Sequence, residues 1–216
     1  TAYRELASVS EITVMNKEII CSEILRAEGP WEVISCPEWC EVSPMSSETK
    51  AEVTFKIAEL PAGAGNREGQ ILFKLKDKDY STYTTVRQYD YEYPEDTEIM
   101  LQKSSEGAAE IPIFIIGDGF AAEDIVDGSY LEVMNQQIEY FFDIEPYRTY
   151  REFFTVSTSV VCSLQSGIDN WISSKGNYFE TNNDNGTFIC NYDLLKDYVK
   201  NVSSHINDGN LNKALI

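Results

Sequence analysis

Ile111-Pro112-Ile113-Phe114-Ile115-Ile116 is an apolar run of strand length that stops at Gly117-Asp118-Gly119. A strand with one wet face alternates apolar and polar residues. This run does not, which predicts that both of its faces are covered, as in a central strand. The two glycines let the backbone turn tightly and approach other groups closely. Asp118 is then placed just past the carboxyl end of a buried strand, where open α/β sheets gather ligands and catalysis. The same placement also suits a carboxylate that caps the next segment or closes a turn.

Residues 94–216 read as an α/β domain built around that run. Glu98–Gln102 predicts a strand before it. Ser129 followed by Glu132 has capping-box spacing, and Tyr130, Met134, Ile138, Phe141 and Phe142 form an apolar stripe at helical spacing. Pro146 ends this helix, Tyr147–Phe153 adds a short helical turn, and Phe154–Val161 is the next strand, giving a crossover with parallel strands. Ser163–Gly186 is polar and rich in Gly and Asn, a loop long enough to be functional. If the two strands are parallel, this loop lies on the same edge as Asp118, so Ser166, Gly167 and Asp169 join Asp118 as candidates to line a substrate cleft. A second helix runs from Asn191 to about Ser204, with Leu195, Val199, Val202 and Ile206 on one face. Ala214-Leu215-Ile216 reads as the start of a further strand.

Residues 1–93 read differently. Short β-rich runs recur at Glu11–Met15, Ile19–Leu25, Trp31–Ser35, Ala51–Ile57, Gln70–Leu75 and Tyr83–Tyr89, punctuated by Gly, Pro and Asn. Many short strands with such turns predict a β-sandwich. Tyr91–Asp96, acidic and Pro-containing, is the linker between the two domains.

Charge excludes some functions. With 36 acidic and 17 basic residues among 216, the formal net charge is −19. Phosphate backbones and anionic membrane surfaces are repelled by such a chain. No apolar run approaches the roughly 20 residues of a spanning helix. The five cysteines are Cys21, Cys36, Cys40, Cys162 and Cys190, an odd number, and they read as small core residues. The single histidine, His205, falls near a helix end and suits the helix dipole. One histidine cannot make a His-Glu-x-x-His zinc pair, no Gly-x-Ser-x-Gly elbow is present, and Asp118 with Asp169 is the one carboxylate pair to consider. No metal site within this chain is expected.

Trp31-Glu32-Val33, Trp39-Cys40-Glu41-Val42-Ser43-Pro44, Asn66-Arg67-Glu68-Gly69-Gln70-Ile71 and Val86-Arg87-Gln88-Tyr89 follow one another in order. This set resembles the BACON-type domain of bacterial surface and secreted proteins, over roughly residues 10–92. The resemblance implies an immunoglobulin-like sandwich that binds glycans or acts as a spacer. Trp39 is then the candidate for sugar stacking, against the reading that Trp31 and Trp39 both pack in the core. Arg67 reads as a donor that fixes a turn.

Gly117-Asp118-Gly119-Phe120, Phe142 with Glu145-Pro146-Tyr147, Phe153-Phe154-Thr155-Val156, then Ser163 and Ser166-Gly167 form a second ordered set. From about Glu98 onward it is similar to the amino-terminal part of the IgA-peptidase family of zinc metallopeptidases. The family's His-Glu-x-x-His motif lies further along and is not in this chain. The resemblance implies an incomplete zincin-like domain, inactive alone, from a secreted, periplasmic or surface-bound parent that uses zinc on a protein or glycoprotein substrate. Such an incomplete domain is expected to leave apolar faces uncovered and to self-associate or be readily cleaved beyond Tyr93. The alternative is a non-enzymatic glycan-binding, adhesion or spacer protein with a degenerate α/β domain. A third reading is a hydrolase using Asp118 with a carboxylate-held metal.

Overall fold

Strand alternation sets the first half of the chain in the computed structural model, which describes residues 6–170 and 175–211. The strands up to Glu92 are β1 (Leu6–Ala7), β2 (Glu11–Val14), β3 (Ile19–Ala27), β4 (Trp31–Ser35), β5 (Cys40–Ser43), β6 (Ser46–Ser47), β7 (Ala51–Ile57), β8 (Arg67–Leu75) and β9 (Ser81–Gln88). They form two sheets, in the orders β1-β3-β7-β5 and β2-β9-β8-β4-β6. In β7, Val53, Phe55 and Ile57 are buried, while Glu52, Thr54 and Lys56 alternate with them on the other face. Trp31, Phe55, Phe73, Ile12 and Ile71 are among the largest fully buried side chains. One face of each sheet thus supplies a shared core, as in a β-sandwich. All pairings are antiparallel except β2 with β9, which is parallel. Among the described residues Trp31 is the core tryptophan: its indole N–H donates to Thr49 O at 2.7 Å and its ring meets Phe73 edge-on.

The unit from Tyr93 onward holds β10 (Ile99–Gln102), β11 (Ile111–Ile115) and β12 (Phe154–Thr158) in the order β10-β12-β11. β11 and β12 are parallel, with Ile113 opposite Val156, and β10 is antiparallel to β12. The crossover between β11 and β12 carries two helices, α1 (Ala122–Val126) and α2 (Ser129–Phe142). Ile113 packs with Ile138, Phe142, Phe154 and Val156, whereas its neighbour Phe114 packs with Val199 and Ile206. Adjacent strand residues point to opposite faces. α2 therefore covers one face, and α3 (Tyr192–Val202) covers the other.

This arrangement corrects the expectation that Ile111–Ile116 is a central strand. Among the described residues β11 is an edge strand and β12, buried at every position, is the central one. Lack of alternation reports two covered faces, and here helices supply the cover.

α2 also starts differently from the expected Ser129–Glu132 box. Gly128, at φ 87°, is the N-cap, and Ser129 N donates to Asp127 Oδ1 at 2.8 Å. Ser129 is already inside the first turn. The stripe is as expected, with Tyr130, Met134, Ile138 and Phe142 buried. α2 ends at Phe142, four residues before Pro146, and a 3-10 turn spans Arg151–Phe153. α3 is capped by Asn191, whose side chain accepts Leu194 N at 3.1 Å.

The segment 163–186 is not one open loop. β13 (Asp169–Asn170), β14 (Asn182–Asp184) and β15 (Thr187–Ile189) form a small sheet. Asn185 and Gly186 both take positive φ between β14 and β15, as a two-residue type I′ hairpin turn requires. Ala214–Ile216, expected to begin a strand, lies outside the described residues.

Candidate functional site

Past the end of β11 the chain turns at Gly117 and Gly119. Gly119 has φ 79°, and a Cβ there would lie 2.6 Å from Gly167 O. Gly167 N donates to Gly119 O at 2.8 Å, so the two glycines bring two backbone segments into direct contact. Asp118, between Gly117 and Gly119, is heavily used. Its Oδ1 accepts Gly119 N at 2.9 Å, Ser163 Oγ at 3.0 Å and Tyr178 N at 2.8 Å, and its Oδ2 accepts Phe179 N at 2.9 Å and Thr181 N at 3.3 Å. A carboxylate offers about four lone-pair sites. Asp118 is occupied by the polypeptide itself.

The other residues expected at this edge have their own partners. Ser166 Oγ donates to Asp124 Oδ2, which also accepts Ala121 N at 2.8 Å. Asp169 N donates to Asn177 Oδ1 at 2.8 Å, and its carboxylate accepts Lys175 N. Asn177 Nδ2 returns to Gly167 O at 2.7 Å. Gly167 thus meets the Asp118 turn directly, while Ser166 and Asp169 hold neighbouring stretches. A cleft of about 300 Å³ opens beside Asp118, lined mainly by Ile116, Ile168, Phe179, Phe188 and Leu195.

These residues do not fit a catalytic zinc. Among the described residues no three His, Cys, Asp or Glu side chains are grouped to hold a metal. His205 lies beyond the end of α3 with Nδ1 2.6 Å from Glu110 Oε1, so its partner is a carboxylate and not the helix terminus. The cysteines are free thiols: Cys40 is buried and the other four are half-buried. Burial pushes the thiols of Cys21, Cys40 and Cys162 up to about 12, which leaves almost no thiolate at neutral pH.

In the first unit, Trp39 is half-buried and not in the core. Its ring edge overlies Gly69, where a Cβ would come within 3.0 Å of it, and the Arg67 guanidinium sits 4.4 Å from a ring centroid. One face of this indole is therefore occupied. Arg67 is a structural donor, as expected: Nε and Nη2 donate to Gln88 Oε1 at 2.8 and 2.6 Å, and Nη2 also reaches Ala58 O at 2.6 Å.

A second cleft, of about 310 Å³, is polar and includes Ser8, Ser10, Glu11, Tyr83, Thr85 and Arg87. Thr84, Val86 and Gln88 of β9 face the sandwich core; Tyr83, Thr85 and Arg87 alternate with them on the opposite face, where Thr85 too is buried. Tyr83 is 53% exposed. Arg87 is ion-paired with Glu11 and, through Nε at 2.6 Å, with Glu68 Oε2. The Ser8–Glu11 segment is fastened to β9 by Thr85 N donating to Ser10 O at 3.0 Å and Thr84 Oγ1 to Val9 O at 2.7 Å. Ser8 Oγ is buried with no hydrogen-bond partner among the described residues. The sequence reading missed this cleft. Its signal was the alternation of Tyr83, Thr85 and Arg87 along one strand.

The chain is similar in part to known proteins. The family model named BACON, described as "Putative binding domain, N-terminal", matches residues 29–89. No curated protein matches the chain. Among solved structures, a Bacteroides ovatus GH5 xyloglucanase in complex with a XXXG heptasaccharide matches at 13% identity and TM-score 0.38, over 50% of this chain and 26% of that one. An endo-fucoidan hydrolase of glycoside hydrolase family 107 matches at 13% identity and TM-score 0.29, over 51% of this chain and 20% of that one. The chain thus spans about a quarter or less of either protein, and likeness at this level says nothing of function. The first unit carries a BACON-type domain over residues 29–89.

Proposed function

We propose that the first unit is a non-enzymatic carbohydrate-binding module that tethers the protein to glycan outside the cytoplasm. The observation that carries this reading is the polar cleft on the open face of β9. There an exposed aromatic ring, Tyr83, stands beside hydroxyl groups and the Glu11–Arg87 pair. Small-ligand sites combine an apolar contact surface with a few convergent polar groups in pockets of roughly 300–1,000 Å³, and this cleft falls at the small end of that range. A sugar ring needs both parts: an aromatic surface for its C–H face and donors and acceptors for its hydroxyls. The putative binding role of the matched family agrees with this reading. Trp39 is the weaker candidate, because Arg67 covers one of its faces.

The test is direct binding of the intact chain to a panel of glycans, with Tyr83→Ala and Trp39→Ala compared by thermal unfolding and affinity. Tyr83→Ala should stay folded and lose binding. Loss only in a folded Trp39→Ala would move the site to the tryptophan, and a chain that binds no glycan is a spacer.

A second reading makes residues 94–216 the amino-terminal part of a zinc metallopeptidase of the IgA-peptidase type, acting on a protein or glycoprotein. Its support is the order of motifs around Gly117-Asp118-Gly119. Within it, the edge formed by Asp118, Ser166, Gly167 and Asp169 would border a cleft completed by other parts of the parent. A His-Glu-x-x-His motif in the coding sequence following Ile216 is the observation that decides it. No helix of the described residues is long and apolar enough to cross a membrane.

A further inference from the structure

We infer that the β9 cleft takes an uncharged, hydroxyl-rich sugar and rejects sulfated or uronate-bearing glycans. This rests on the carbohydrate-binding reading and adds the chemical class of the ligand. An isolated arginine on a sheet face would recruit sulfate or carboxylate by bidentate hydrogen bonding. Arg87 is not isolated: Glu11 and Glu68 both pair with its guanidinium. The three groups together carry one net negative charge, in a chain whose formal net charge is −19. An anionic sugar would have to displace one of these carboxylates and then face it at close range, which costs free energy in a partly desolvated site.

A sugar hydroxyl meets no such conflict. It is both donor and acceptor, and a paired guanidinium and carboxylate present N–H donors and oxygen lone pairs side by side. Adjacent ring hydroxyls can therefore bridge Arg87 and Glu11 without breaking the ion pair. Ser8 Oγ supplies a further group whose hydrogen bonding is unmet among the described residues. Buried polar groups ordinarily find partners, and a ligand hydroxyl is a fitting one. Tyr83 gives the ring its apolar contact.

The experiment measures binding of the intact chain to a neutral β-glucan, a neutral galactomannan, a polygalacturonate and a sulfated fucan. It compares wild type, Tyr83→Ala and Ser8→Ala at low salt and at about 0.5 M salt, where charge–charge attraction is screened beyond a few ångströms. Ser8→Ala removes a hydroxyl that bonds nothing among the described residues, so its fold is preserved even if Tyr83→Ala unfolds. The expected result is salt-insensitive binding to a neutral polymer, weakened roughly tenfold by either substitution, a change that corresponds to the loss of one good contact. Binding confined to the polyanions, weakened by these substitutions and abolished by salt, overturns the neutral-ligand inference and leaves the carbohydrate reading standing. Absence of binding to all four polymers overturns both.

Discussion

Ser163 Oγ donates to Asp118 Oδ1 at 3.0 Å, joining two residues 45 positions apart that follow the parallel strands β11 and β12. The same serine oxygen accepts Gly119 N at 3.1 Å and Tyr178 N at 3.3 Å. Carboxylate and hydroxyl together gather amides from the turn after β11 and from residues 178–181. The end of the sheet where Asp118 was a candidate to line a substrate cleft is thus closed by backbone hydrogen bonds to that acid, in keeping with a carboxylate that closes a turn. A carboxylate so occupied has few lone pairs left for a ligand and organises the surface around it.

Asp118→Asn should therefore destabilise the second unit. The amide would turn one or more acceptor positions into N–H donors facing backbone N–H groups. Each buried donor left without an acceptor costs about 1–3 kcal/mol. The expected outcome is a lowered urea midpoint for the transition of this unit, with the sandwich transition unmoved. Unchanged stability in Asp118→Asn would contradict the closing role and return Asp118 to the list of free acids.

Much of this fold was legible where periodicity carried it. Ala51–Ile57 alternates, Tyr130 to Phe142 repeats at helical spacing, and the stripe from Leu195 to Ile206 forecast the face that α3 lays on Phe114. The edge position of β11 was not legible, because an apolar run records that its faces are covered and not which strands flank it. The hairpin at Asn185-Gly186 carried a readable two-residue turn signal, but its short strands lack apolar alternation and merged with the polar stretch around them. The partners of Asp118 were hidden for a different reason. Four of its five donors are backbone amides, which any residue type supplies. The β9 cleft went unread: strand alternation puts Tyr83, Thr85 and Arg87 on one face, but only the sheet order shows which segment borders it.

Gln88 should prove the most sensitive polar residue of the sandwich. It is fully buried, its Nε2 donates to Met15 O at 2.9 Å and Ala58 O at 3.1 Å, and its Oε1 holds Arg67. Gln88→Leu removes donor and acceptor together and takes from Arg67 Nε the acceptor Gln88 Oε1, so a loss of about 2–4 kcal/mol is expected for a broken buried network of this kind. Denaturant unfolding of the sandwich measures it. Loss below about 0.5 kcal/mol, the range of ordinary surface changes, would show that the network is dispensable.

Glu98 should make the second unit acid-sensitive. Partial burial pushes its carboxyl up, but hydrogen bonds from Ser204, Ser157 and Ser203 outweigh this and hold it below the usual glutamate range. Its oxygens accept Ser157 Oγ at 2.7 Å, Ser203 Oγ at 2.9 Å and Ser204 N at 2.8 Å, linking β12 to the end of α3. A folded-state value below the unfolded one means that the unfolded chain binds more protons in the window between them. The stabilisation is complete above the unfolded value of about 4.3 and is lost as pH falls through the folded value. Wild type should exceed Glu98→Gln in stability at about pH 6, and the difference should shrink steadily below about pH 4. A difference that does not change with pH would exclude Glu98 as the titrating group.

The two glycines flanking Asp118 should differ in tolerance. A Cβ on Gly117 would meet the Phe120 ring at 2.6 Å and Met134 Cε at 2.9 Å, both on side chains that can move. A Cβ on Gly119 would meet the backbone oxygen of Gly167 at 2.6 Å, and φ there is +79°, where L side chains are strained. Relief at Gly119 would require separating two segments joined by the Gly167 N–H bond to Gly119 O, and with them the amides bound by Asp118. Gly119→Ala should therefore cost more than Gly117→Ala, by roughly 1–3 kcal/mol on the scale of backbone strain. Hydrogen exchange locates the damage: in Gly119→Ala the amides of Gly167, Tyr178 and Phe179 should lose protection together. Equal losses in the two variants, or loss of protection confined to α2, would place the strain in side-chain packing and not in the joined backbones.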